Sequence, residues 1–209
     1  MTIALGLAVL ILSIIIHEVA HGYAADSLGD PTARMSGRLT LNPLPHIDIL
    51  GSLLIPGLLV LSGSPILFGW AKPVPYNPYN LRNKRWGEAL VAVAGSATNL
   101  LLALLFGLIV RFGVPLGLGG AALSLAATIC FINLFLGLFN LIPFPPLDGF
   151  TTLRGLLPWR ASHGLAEFEA RIRGAGAFAL IGFLLVFAYL LANPFFDLVL
   201  WIFRVLTGQ

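Results

Sequence analysis

Residues 3–25 read Ile-Ala-Leu-Gly-Leu-Ala-Val-Leu-Ile-Leu-Ser-Ile-Ile-Ile-His17-Glu18-Val19-Ala20-His21-Gly-Tyr-Ala-Ala. A helix needs about 20 apolar residues to cross the hydrocarbon core of a bilayer. This stretch supplies them, broken only by an ionisable cluster at 17–21. Charged groups at membrane depth are costly, and a functional site is their default reading. The cluster is an H-E-x-x-H. On a helix, residues four apart share a face, so the imidazoles of His17 and His21 can bind one metal ion while Glu18 stands beside it. Glu18 is then the general base for a water activated by zinc, which attacks a carbonyl that the metal polarises. The competing reading, a polar cluster satisfied by hydrogen bonds within a helix bundle, is the weaker one.

Composition extends this outward. Of 209 residues, 58% are apolar and 10% charged, and the mean hydropathy is +0.93. Soluble domains carry about 25% charged residues. So few charges cannot cover a water-facing surface, which makes the chain a multi-pass integral membrane protein in contact with the lipid bilayer. One cysteine, Cys130, excludes a disulfide scaffold and reads as a packing residue. The twelve Lys and Arg are thinly spread; they read as topology signals rather than a nucleic-acid surface, and no nucleic-acid partner is expected. Met1-Thr2 carries no basic residue, so no cleavable signal is expected.

Further spans are expected over Glu88–Phe112 and Ala121–Ile142. A last apolar run covers Ala175–Ala192, with Asn193-Pro194 interrupting it before Phe195–Leu206, which either continues the span or lies along the interface. Ile49–Trp70 is broken by Ser62-Gly63-Ser64-Pro65 and reads as a re-entrant segment. Alternation between Gly37 and Asn42 predicts a small β-hairpin element. The expected fold is an all-α polytopic membrane protein of about 4–5 transmembrane helices, plus those two features. It forms a single domain, 1–209, with a core of roughly 3–155 and an accessory helix or helices over 175–206. No separate substrate-selecting domain is expected.

A catalytic zinc takes three protein ligands and keeps one position open. The longer pattern H-E-x-x-H-x-x-G-x-x-H fails here, because Ala24 and Ser27 occupy its last two positions. Asp148 is the candidate third ligand. It follows Pro143, Pro145 and Pro146, and prolines at membrane depth free main-chain groups that are tolerated where they line a cavity. The alternative is a surface Asp-Gly turn. His46 reads as a loop residue and His163 as solvated. Arg82-Asn-Lys-Arg85 reads as an anchor near anionic lipid.

The chain resembles the site-2 proteases, zinc metalloproteases that cleave the transmembrane segments of other proteins. The resemblance rests on His17-Glu18-Val19-Ala20-His21, on Asn140…Leu147-Asp148-Gly149, and on Ala94-Gly95-Ser96-Ala97-Thr98-Asn99, which is similar to the family's A-G-P-x-x-N. Gly37–Pro43 and Phe68-Gly-Trp-Ala-Lys-Pro-Val-Pro look like compact bacterial members with the histidine motif near the N-terminus. Ser96 and Phe150 depart from the family's proline and second glycine. The resemblance implies one Zn2+ per chain held by His17, His21 and Asp148, Glu18 as general base, and transmembrane proteins as substrates. It also implies a prokaryotic inner membrane, and Asn99 and Asn140 near the site. An Asn amide can donate to a developing oxyanion or bridge helices. Both readings stand for Asn99 and Asn140; bridging is preferred for Asn133.

A helical substrate must unwind before water reaches its carbonyl. Residues Arg38, Leu39, Thr40 and Leu41 are expected to hold the unwound stretch by edge pairing. A metal transporter would show paired, discontinuous halves, which this sequence lacks, and a silent membrane scaffold would make Glu18 dispensable. Topology follows from charge. With 49–70 re-entrant and the N-terminus outside, ten Lys and Arg lie inside against two outside; full crossing gives eight against four. Re-entry also brings His17 and Asp148 into the same membrane half, nearer the cytoplasmic face.

Overall fold

The computed structural model describes residues 3–61, 71–83 and 86–209. Its helices run in chain order as α1 (Ile3–Ser27), α2 (Thr32–Met35), a π-helical turn (Ile49–Leu54) leading into α3 (Ile55–Leu61), α4 (Trp86–Gly113), α5 (Gly120–Asn140), α6 (Asp148–Leu156), α7 (Trp159–Gly174), α8 (Ala177–Val186) and α9 (Ala192–Thr207). Among the described residues, four stretches are long and apolar enough to cross a membrane: Ala4–Ser27, Trp86–Gly113, Gly120–Asn140 and Ile181–Thr207. The protein is an integral membrane protein, as its composition requires.

The fourth span is one continuous helix, where the sequence predicts a break at Asn193-Pro194. Proline lacks the N–H for a helical bond and crowds the carbonyl four residues back. Here a π-helical stretch, Phe187–Leu191, lies immediately before α9. A wider turn of this kind is how membrane helices absorb a proline.

Helix α4 is central and packs against α1, α5, α6 and α9. Ala103, Cys130, Leu134 and Val199 form the buried centre where α4, α5 and α9 meet. Cys130 is a packing residue there, as expected. Small residues let the backbones close up: a Cβ on Gly107 would lie 2.9 Å from Leu206 and 3.3 Å from the Cys130 sulfur. The C-terminal helix expected to be accessory thus contributes Val199 to the core.

The β-hairpin element is absent; residues 37–43 run as bends, and no strand occurs among the described residues. Local bonds take the main-chain groups that a strand partner would need. Arg38 N–H donates to the Ala33 carbonyl at the end of α2 (3.0 Å), and the Thr40 carbonyl contacts His46 Nε2 at 2.9 Å. Thr40 Oγ1 and Asn42 Oδ1 accept from Asn42 and Leu44 N–H.

Of the segment expected to re-enter, residues 49–61 are helical and 62–70 lie outside the described residues, as do Lys84 and Arg85 of the basic loop. Thirteen helical residues rise about 20 Å, short of the roughly 30 Å hydrocarbon core. On either side of this segment, Lys72 N–H donates to the His46 carbonyl at 2.9 Å. His46 is a loop residue, as expected, but is 2% exposed and ties this loop together.

Candidate active site

The site forms where α1 crosses α4 and where α6 begins. His17 and His21 lie one turn apart on α1 and face α4 at Gly95. A Cβ at that position would stand 2.5 Å from His21 Nε2 and 2.8 Å from His17 Cε1. The glycine of the Ala94–Asn99 motif therefore makes room for the imidazoles. Gly149 has a similar role: a Cβ there would lie 2.1 Å from the Leu141 carbonyl oxygen, so only glycine lets the start of α6 fold back on the end of α5. That fold-back carries Asp148 to the histidines.

Three donor atoms converge. His17 Nε2 and His21 Nε2 are 3.0 Å apart, and Asp148 Oδ2 lies 3.1 Å from the first and 3.3 Å from the second. The three side chains offer ligand atoms all within 4.8 Å of one another. Each imidazole is oriented through its other nitrogen: His17 Nδ1 lies 2.6 Å from Asn99 Oδ1, and His21 Nδ1 lies 2.7 Å from the Val91 carbonyl oxygen. A ring that donates Nδ1–H to an oxygen presents a bare lone pair at Nε2. Two such lone pairs facing each other 3 Å apart beside a carboxylate repel, unless a cation sits between them. Ligands about 2.0–2.1 Å from a tetrahedral zinc stand about 3.3 Å apart. The donor set fits zinc in chemistry and in spacing.

Glu18 Oε2 accepts from the Val74 N–H at 2.9 Å. Val74 belongs to a stretch without helix or strand, residues 71–77, whose path is set by buried polar groups. Arg38 is 7% exposed, and its guanidinium donates to the Lys72 and Pro73 carbonyls. Asp30, fully buried, accepts from Asn77 N–H at 2.6 Å and from Asn80 Nδ2 at 2.8 Å. Burial pushes the Asp30 carboxyl up, but hydrogen bonds from Thr32, Asn77 and Asn80 outweigh it and hold the carboxyl below the usual Asp range. A cavity of about 640 Å³ opens over His17, Glu18, His21 and Asp148. Val74 and Tyr76 form one wall, Leu136, Phe139 and Asn140 another, and Arg173 and Phe183 lie at its α7–α8 side.

His17, Glu18, His21 and Asp148 come together as the sequence predicts. Asn140 lines the cavity and donates one N–H to the Leu136 carbonyl (3.0 Å). Asn99 does not face the cavity: it is fully buried, with its amide spent on His17 and Asn133. Residues 38–41 serve the site from outside it. Leu39 packs beside Gly22 of α1 and Val74, and Arg38 holds the 72–73 carbonyls.

Sequence reasoning missed Val74, Asp30, Ser96 and Ser13. Ser96, in place of the family's proline, donates to Asp148 Oδ2 at 3.3 Å. Ser13 is the only polar side chain between Ile3 and His17, one turn before the histidine, and that position was the available signal. Phe150, in place of a glycine, is buried and stands 6.0 Å from Phe168, joining α6 to α7.

Comparison with known proteins agrees. The model of Peptidase family M50 matches residues 118–187, which include Asn140 and Asp148. YwhC of Bacillus subtilis (strain 168), named as a candidate zinc metalloprotease, is 37% identical over 201 residues, covering 92% of this chain and 82% of that one. Rip2 of Mycolicibacterium smegmatis, named likewise, is 31% identical over 198 residues, covering 92% of this chain and 70% of its own. No solved structure matches. With the apolar spans around it, such a chain is a zinc metalloendopeptidase working inside the membrane, and its substrates are membrane proteins. It belongs to peptidase family M50, the site-2 proteases.

Proposed function

We propose that His17, His21 and Asp148 hold the zinc and that Glu18 is the general base for peptide-bond hydrolysis in or near a transmembrane segment of the substrate. The convergence of His17 Nε2, His21 Nε2 and Asp148 Oδ2 carries this reading. Bound there, zinc supplies a Lewis acid for the scissile carbonyl and lowers the pKa of water. The Val74 N–H fixes Glu18 Oε2, which leaves Oε1 to take the proton from the attacking water and return it to the leaving amide nitrogen. The free N–H of the Asn140 amide, at the cavity wall, donates to the oxygen of the carbonyl under attack. Residues 71–77, which belong to no helix and line the cavity through Ala71, Pro73, Val74 and Tyr76, rather than 38–41, form the edge along which the unwound substrate lies.

The chain works as one unit, 1–209. Its active site lies nearer the cytoplasmic face of a prokaryotic inner membrane. Positive charge supports this orientation, and the Lys72–His46 bond, which sets the residues on either side of 47–71 next to each other, supports re-entry. Arg111, at the end of α4, donates to the Val205 carbonyl, which sets the end of the last span on the opposite side from the site. In a Cys130→Ala background, Ser36→Cys, Asn80→Cys and Ser162→Cys are expected to be shielded from an impermeant external label, with Leu116→Cys reacting. Labelling of Ser36→Cys alone among the first three would contradict the re-entrant path.

The experiment for the chemistry compares wild type with Glu18→Gln, measuring zinc content and cleavage of a transmembrane substrate. About one zinc per chain is expected in both, with cleavage lost in the variant. A variant that still cleaves overturns the assignment of the base.

A further inference from the structure

Ser13, His17, Asn99 and Asn133 are each at most 6% exposed, although they belong to three membrane spans. They form one hydrogen-bonded chain, and every link in it has a single allowed direction. The Ile129 carbonyl only accepts, so the Asn133 NH2 group faces it, at 2.9 Å. The second N–H of that group goes to Ser13 Oγ, also at 2.9 Å. Asn133 Oδ1, an acceptor, is left facing Asn99, which must present its own NH2, at 2.7 Å. Asn99 Oδ1 therefore faces His17 Nδ1, which carries the hydrogen. The polarity of one main-chain carbonyl on α5 is in this way relayed through two amides to α1. His21 needs no relay, because its Nδ1 meets the Val91 carbonyl directly.

We propose that Asn133, supported by Ser13, is a positioning residue of the metal site: it fixes the Asn99 amide, and through it which nitrogen of His17 faces the zinc. The inference rests on His17 being a zinc ligand. Without an acceptor at position 133, the Asn99 NH2 keeps only its long 3.4 Å bond to the Ser13 main-chain carbonyl, too weak to stop the amide turning over and offering N–H to His17 Nδ1. His17 Nε2 then carries the hydrogen and has no lone pair for a metal. Nothing at 133 touches the metal or the substrate, so the effect is one of hydrogen-bond direction.

The test uses purified full-length protein and two substitutions of similar size. Asn133→Leu removes the acceptor. Asn133→Asp keeps an oxygen toward Asn99, whether or not it is ionised. Zinc dissociation constants come from chelator competition, and side-chain 15N shifts of His17 report which nitrogen carries hydrogen. Asn133→Leu is expected to bind zinc about 10–100-fold more weakly and to show hydrogen on His17 Nε2, while Asn133→Asp stays within a few-fold of wild type. Asn133→Val, smaller and also without an acceptor, serves in place of Asn133→Leu should the latter not fold. Wild-type affinity in the leucine or valine variant overturns the proposal. So does an equal loss in the aspartate variant, which would make packing the cause. If His17→Ala keeps wild-type affinity, it is the assignment of the ligand that falls, and with it the premise.

Discussion

His17 and Glu18 are neighbours in sequence, yet different parts of the molecule hold them. His17, with His21, is fixed by groups carried on packed membrane helices: Asn99, Asn133 and Ser13 on one side, the Val91 carbonyl on the other. Glu18, one residue on, points toward the non-helical stretch 71–77 and takes its hydrogen bond from the Val74 N–H. That stretch is held in turn by Asp30 and Arg38, which lie beyond the end of α1. On the proposed assignment, metal holding rests on the bundle interior and proton transfer on a loop, so the two functions are separable by mutation.

The sharpest way to break the helix side is Gly95→Ala. Its Cβ meets the His21 ring at 2.5 Å, so the imidazoles must move. Zinc affinity and cleavage should fall together, cleavage by on the order of 100-fold, the usual consequence of an ångström-scale misplacement. Asp30→Ala strikes the loop side alone. It frees Asn77 and Asn80 from their acceptor, and cleavage should fall about tenfold while zinc content stays at wild type, since a charged hydrogen-bond partner contributes roughly 1.5–3 kcal/mol. Loss of zinc in Asp30→Ala, measured by metal analysis, would show that the two halves are not independent.

Acid sharpens the same contrast. Because the native Asp30 carboxyl is held below its ordinary range, its stabilising contribution is present above about pH 4, the unfolded Asp value. It is lost as pH falls through the lower native value. The protection of residues 71–80 against hydrogen exchange, relative to the intrinsic rate at each pH, should therefore fall on acidification in wild type and depend less on pH in Asp30→Asn. The smallest effect expected is that of Ser96→Ala, which removes a 3.3 Å bond to Asp148. A few-fold weakening of zinc binding would fit; a loss as large as that of Gly95→Ala would not.

What the sequence discloses follows the same division. Spans are legible because the bilayer demands about 20 apolar residues, and His17-Glu18-x-x-His21 is legible because a helix puts residues four apart on one face. Asp148 is legible through the prolines before it. The loop side is not. Alternation over Gly37–Asn42 reads as a strand, but side-chain bonds from His46, Thr40 and Asn42 bend it. Which carbonyl Arg38 would reach depends on tertiary placement. Asn99 shows the intermediate case: its motif locates it near the site, while its partner Asn133, on another helix, decides what its amide does.

The central claim is that Asp148, remote in sequence, completes the metal site of His17 and His21. Asp148→Cys in a Cys130→Ala background makes residue 148 the only cysteine in the chain. X-ray absorption at the zinc edge of the loaded, full-length protein then reads its contact directly. The account predicts two imidazole nitrogens at about 2.0–2.1 Å together with a new sulfur shell at about 2.3 Å. Zinc bound at full occupancy by imidazoles with no sulfur neighbour would contradict it.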